Sequence, residues 1–104
     1  MIEPKTDHMH ALALGDIDGD GLVDMATAKM HQASAPQEVA VYFNRQKGAR
    51  WEKQVLATTG SHNIVLVDVG ADGAMDIFGA NWNNNSPTKG RLELWRNGRK
   101  PAGR

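Results

Sequence analysis

No cysteine occurs among the 104 residues of this chain. That absence excludes a disulfide scaffold, a thiolate zinc site and a cysteine nucleophile together, and it leaves the redox compartment open. Net charge is missing too. Twelve basic side chains balance 12 acidic ones, so no overall field draws the chain to nucleic acid or to an anionic membrane. Long hydrophobic runs are also lacking: stretches such as "IVLV" at 64–67 are far too short to span a bilayer. The opening "MIEPKTDHMH" has no apolar h-region of a signal peptide, so the chain as given reads as soluble, and no membrane insertion is expected. No segment sustains helical periodicity long enough to compete with strands. What remains is an ordinary globular composition, 40% hydrophobic and 23% charged, in a length suited to one small domain.

The chain is written twice. "HALALGDIDGDGLVDMATA" (10–28) lies above "HNIVLVDVGADGAMDIFGA" (62–80), with His10 on His62, Asp16 on Asp68, Asp20 on Asp72, Gly21 on Gly73 and Asp24 on Asp76, at an offset of about 52 residues. After a one-residue slip, "VAVYFN" (39–44) matches "LELWRN" (92–97), ending in Asn44 and Asn97. Residues 1–52 therefore form one unit with an N-terminal strand stub, and residues 53–104 a second with a basic tail.

Within each unit the local pattern is β. "ALAL" (11–14) and "IVLV" (64–67) read as short strands buried on both faces. "LVDMATAKM", "EVAVYF", "WEKQVLA", "AMDIFGANW" and "RLELW" follow as further strands, several with apolar and polar residues alternating. Turn-forming stretches separate them, such as "ASAPQ", "NRQKG", "TTGSH" and "NNNSPTKG". The expected fold is all-β: two four-stranded propeller-type blades, the second without its last strand. Two blades cannot close a ring, and they leave apolar faces and strand edges in water. Homo-oligomerisation answers both, with three or four chains assembled head to tail and the N-terminal stub of one pairing with the last blade of its neighbour. A piece of a longer propeller and a seven-stranded sandwich are the alternatives.

"GDIDGDGLVD" (15–24) places four aspartates and three glycines in one turn. Asp16, Asp18, Asp20 and Asp24 stand at loop positions that turn carboxylate oxygens toward one point, and the carbonyl of Leu22 stands where backbone oxygen is usually offered. An all-oxygen donor set with flexible geometry favours Ca²⁺ over Mg²⁺. Gly19 and Gly21 permit the positive φ that such a curl needs. An EF-hand would require glutamate at the twelfth loop position and a helix on either side. Thr27 and Gly79 stand there instead, amid strand-like sequence. The second loop keeps Asp68, Asp72 and Asp76, with Ala74 in the place of Leu22, but has Gly70 for Asp18. It is expected to hold calcium more weakly, or to be a metal-free turn.

These loops, with the strands around them, resemble FG-GAP/VCBS-type repeats, the calcium-loop blades of integrin-α-like propellers. The resemblance covers nearly all of residues 8–98. It implies a propeller of about seven or eight blades, Ca²⁺ in the turn joining the first two strands, and an extracellular or periplasmic location. It also implies a binding module for carbohydrate or protein, with a polysaccharide-acting lyase-type enzyme as the alternative. His10 and His62, just before the first strand of each unit, are candidate ligand contacts, or else groups that steady the turn by a hydrogen bond. "GANWNNNSP" (79–87) sets Trp82 beside Asn81 and Asn83, a flat apolar face with amide donors and acceptors that suits a sugar ring, unless Trp82 packs between blades. Trp51 and Trp95 read as packing residues, and the tail "RNGRKPAGR" as a solvated end with no nucleic-acid role. No catalytic constellation stands out, since carboxylates that ligate calcium are poor bases.

Overall fold

The computed structural model describes residues 9–29, 36–80 and 92–98. Seven strands lie in that span: β1 (Met9–Gly15), β2 (Asp24–Lys29), β3 (Val39–Arg45), β4 (Arg50–Ala57), β5 (Asn63–Val67), β6 (Asp76–Ala80) and β7 (Leu92–Trp95). They form two antiparallel sheets, one of four strands in the order β1-β2-β3-β4 and one of three in the order β5-β6-β7. Among the described residues there is no α-helix, only a 3-10 turn at Gln46–Gly48 between β3 and β4. Among the described residues the strand count is four and three, as expected from a second unit without its last strand, and the sheets are open.

The repeat seen in the sequence is reproduced in the strand register. Leu14 faces Met25 and Met25 faces Tyr42 in the first sheet, and Leu66 faces Ile77 and Ile77 faces Trp95 in the second. The one-residue slip therefore falls between the second and third strands of each sheet, outside the paired residues. Strand starts differ from the sequence reading, with β2 and β6 beginning at Asp24 and Asp76 because those carboxylates still belong to the turn.

The core lies between the sheets, where β1 and β2 meet β5. The first sheet contributes small side chains, Ala11, Ala26 and Ala28, backed by Val39 and Val41; the second contributes Ile64 and Ile77. Such small residues let the backbones approach closely. A Cβ on Gly15 would come within 2.9 Å of Leu66 Cδ1. Burying Val39 and Ile77 contributes roughly 1.5–3 kcal/mol each.

The segment between the sheets is clamped to the first one. Gly60 N–H donates to Gln37 O (2.7 Å), Ser61 N–H donates to Lys29 O (3.0 Å), and Ser61 Oγ donates to Asn63 O (3.1 Å). These bonds turn the chain through Gly60, at φ 72°, and deliver β5 onto β1.

One expectation fails. "ALAL" and "IVLV" are not buried on both faces: Leu12 and Leu14 are 59% and 61% exposed, and Val65 is 53% exposed. Alternation along a strand sends successive side chains to opposite faces. Among the described residues only one face of each sheet has another sheet against it, although Thr27, Ala40 and Tyr42 on the Leu12 face of the first sheet are buried too.

Candidate metal centre

The turn between β1 and β2 is built from its own carboxylates. Asp16 Oδ1 accepts from Gly19 N–H and Asp16 Oδ2 from Gly21 N–H, both at 2.8 Å. Asp18 Oδ1 accepts from Asp20 N–H (3.3 Å), and Asp20 Oδ1 from Leu22 N–H (2.9 Å). Gly19 and Gly21 take φ of 80° and 87°, the left-handed backbone that glycine allows without penalty. These N–H bonds leave further lone pairs on each carboxylate, and on Asp18 and Asp20 the outer oxygen is taken up by Arg45.

Asp24 has a different task. It is buried, and it accepts from Ile17 N–H (2.8 Å) and Asp18 N–H (3.4 Å) on Oδ2 and from Asn44 N–H (2.8 Å) on Oδ1. It thus ties the turn to the end of β3. Burial pushes its carboxyl above the ordinary range, against the pull of the N–H groups of Asn44 and Ile17.

Asp16, Asp18, Asp20 and Asp24 each place one ligand atom so that all lie within 4.8 Å of one another. Calcium–oxygen distances of about 2.3–2.6 Å put opposite ligands about 5 Å apart. The spacing and the all-oxygen donor set therefore fit the cation expected from the sequence.

A basic side chain enters the same cluster. Arg45, at the end of β3, places Nη1 2.5 Å from Asp18 Oδ2 and 3.3 Å from Asp20 Oδ2, while its Nη2 lies 3.0 Å from Glu52. Burial would raise the Asp18 carboxyl, but the bonds from the Arg45 side chain and Asp20 N–H outweigh it and hold the group below its usual value. The sequence reading missed Arg45 because it has no counterpart in the second unit, where Gly98 follows Asn97.

The second loop repeats the framework. Gly73 N–H donates to Asp68 (2.8 Å), Ala74 N–H to Asp72 (3.0 Å), Val69 N–H to Asp76 (3.2 Å) and Asn97 N–H to Asp76 (2.7 Å). Each has its equivalent in the first loop. Where Asp18 stands in the first loop the second has Gly70, and a Cβ there would lie 3.2 Å from Arg96 Nη2. A cationic group thus stands close to the place of the absent carboxylate. The bond from Gly73 N–H holds the Asp68 carboxyl below its usual value.

The two units are joined at Asn97. Its backbone is held by Asp76, and its Nδ2 donates to Ile17 O in the first loop at 2.6 Å. Its recurrence as Asn44 was visible in the sequence, but not that it reaches across to the other unit. Beside this clasp lies a cavity of about 200 Å³ between the sheets, lined by Phe43, Gln54, Leu56, Ile77 and Trp95 among others.

His10 and His62 come together at the starts of β1 and β5. His10 Nδ1 lies 2.8 Å from His62 O, with ring centroids 4.1 Å apart, so the pair ties the two sheets. Asn81, Trp82 and Asn83 lie outside the described residues, as does the N-terminal stub.

The family model of FG-GAP-like repeats matches residues 16–79. No curated protein and no solved structure matches the chain.

Proposed function

The chain belongs to the FG-GAP-like repeat family, and from that premise we propose that it is a calcium-stabilised module of β-propeller type whose work is binding. The observation that carries the calcium reading is the gathering of Asp16, Asp18, Asp20 and Asp24 within 4.8 Å on a turn whose N–H groups the same carboxylates organise. In that arrangement the outer oxygens of Asp16, Asp18 and Asp20 and the buried Asp24 hold the ion, and Arg45 swings away from Asp18 as it enters. Bound calcium offsets half of the formal negative charge of the four carboxylates and pins β1 to β2. The second loop, with Asp68, Asp72 and Asp76 and with Arg96 near Gly70, is the weaker site.

A rigid pair of sheets with its carboxylates committed to backbone and cation is suited to presenting a surface to carbohydrate or protein rather than to proton transfer. Titration calorimetry of Ca²⁺ into chelator-stripped protein, with Mg²⁺ for comparison, tests the calcium reading. The expected result is one tight calcium site per chain, a weaker second event, and little response to Mg²⁺. At a hundredfold excess over Kd, calcium adds about 2.7 kcal/mol of stability, a rise in Tm of roughly 10–20 °C. No heat and no shift in Tm at millimolar calcium would remove the reading.

A further inference from the structure

The two sheets of this chain pack by unlike faces. The second sheet presents Ile64, Leu66 and Ile77 to the first, and the repeat register makes these the equivalents of Leu12, Leu14 and Met25. Leu12 and Leu14, however, stand on the far side of the first sheet, 59% and 61% exposed. Conversely, the first sheet receives its partner on Ala13, Gly15, Ala26, Val39 and Val41. The equivalents of these are Val65, Val67, Phe78, Leu92 and Leu94, which form the outer face of the second sheet and are 36–66% exposed. On the far face of the first sheet Thr27, Ala40 and Tyr42 are buried within the chain, so the open part of that face is its β1 side, Leu12 and Leu14. The chain thus carries one completed interface and, on that β1 side and on the outer face of the second sheet, two separated halves of another.

The hydrogen-bond clasp is divided in the same way. Inside the chain, Asp76 holds Asn97 and Asn97 Nδ2 reaches Ile17 O. In the first unit Asp24 holds Asn44 likewise, and Asn44 uses its Oδ1 to accept from Gly48 N–H at 2.6 Å, which leaves Nδ2 as the donor. Val69 O on the second loop is the equivalent of Ile17 O, and Val69 is 49% exposed.

We infer that a second copy of this chain docks head to tail, its first sheet laid on the outer face of the second sheet and its Asn44 Nδ2 donating to Val69 O. Both observations prescribe the same polarity. The face that needs a Leu12/Leu14-type partner is also the one beside the unmatched loop carbonyl. The larger side chains on the outer face of the second sheet, Val65, Val67, Phe78, Leu92 and Leu94, set these sheets further apart than the alanine-lined pair within the chain, toward the ordinary spacing of about 10 Å between packed sheets. A contact of this unlike-to-unlike kind repeats from copy to copy, closing into a ring when the rotation allows. It stands independently of the calcium reading, so it is tested in calcium and in chelator alike, with circular dichroism confirming the fold.

The absence of cysteine makes disulfide trapping direct. Within the chain, Leu66 touches Gly15, so between copies Leu14 should meet Val67. The double variant L14C/V67C is expected to form an intermolecular ladder or a discrete closed species under mild oxidation, while L14C alone and V67C alone stay uncrosslinked. Sedimentation of the unmodified chain should show concentration-dependent association, weakened roughly tenfold in Asn44→Asp, which keeps the acceptor for Gly48 but removes the donor. Crosslinking of V67C alone as efficient as that of the double variant would mean like-to-like pairing and overturn the inference. So would a monomer at every concentration, or association unchanged in Asn44→Asp.

Discussion

Each aspartate of the first turn is held by different partners, and so substitutions there should differ in effect. Asp18 and Asp68 have carboxyls lowered in the folded state from an ordinary value of 3.8. A lowered folded pKa gives stability that is present above 3.8 and is lost as pH falls through the lower folded values. Asp24, raised by burial, acts in the opposite sense and gains stability as its carboxyl takes up a proton. Thermal melts in chelator are therefore expected to decline below about pH 4, with a shallower acid limb in Asp18→Asn. A limb of equal steepness in that variant would show that Asp18 is not the group responsible. Arg45 is the other lever at this scale. It pairs with Asp18 and Asp20 where both partners are partly exposed, so solvent screens the contact and its contribution to stability is modest. Arg45→Gln is expected to lower Tm without calcium and to bind calcium about fivefold more tightly, as read by the same calorimetric titration.

At the scale of elements, most of the architecture was legible in the sequence. The repeat, the strand order within each unit, the acidic turns and the positive φ at Gly19 and Gly21 all follow from spacing and residue type. The pairing of Arg45 with the loop was not, because it has no repeat partner and depends on how far a long side chain reaches. Nor was the exposure of Leu12 and Val65, since an apolar run in a strand does not reveal how many of its faces find a partner. The segment joining the sheets could be read only as a turn. In the fold it is a clamp, and Gly60 is its tightest point: φ is 72° and a Cβ would lie 2.8 Å from Lys29 O, a backbone atom. Gly60→Ala is expected to cost about 2–4 kcal/mol from backbone strain and overpacking together, measured by denaturant unfolding. A cost under about 0.5 kcal/mol would mean the clamp is soft.

For the whole molecule, the question is how a cation in one turn affects a sheet that does not touch it. Asn97 supplies the physical link, since its backbone is fixed by Asp76 and its side chain by the carbonyl of Ile17 in the first acidic turn. Calcium is expected to slow amide exchange in β7 as well as in the first loop, and Asn97→Ala to confine that protection to the first sheet. Protection of β7 that survives in Asn97→Ala would place the coupling in the packing of β1 against β5 instead.

The order β1-β2-β3-β4 has every strand beside its neighbour in the chain, whereas the bond from Asn97 to Ile17 joins residues 80 apart. Local pairings form with little loop-closure entropy, and distant ones wait until the intervening chain is ordered. The first sheet can therefore zip up while the second is still being synthesised, and the clasp between them is the last thing to close.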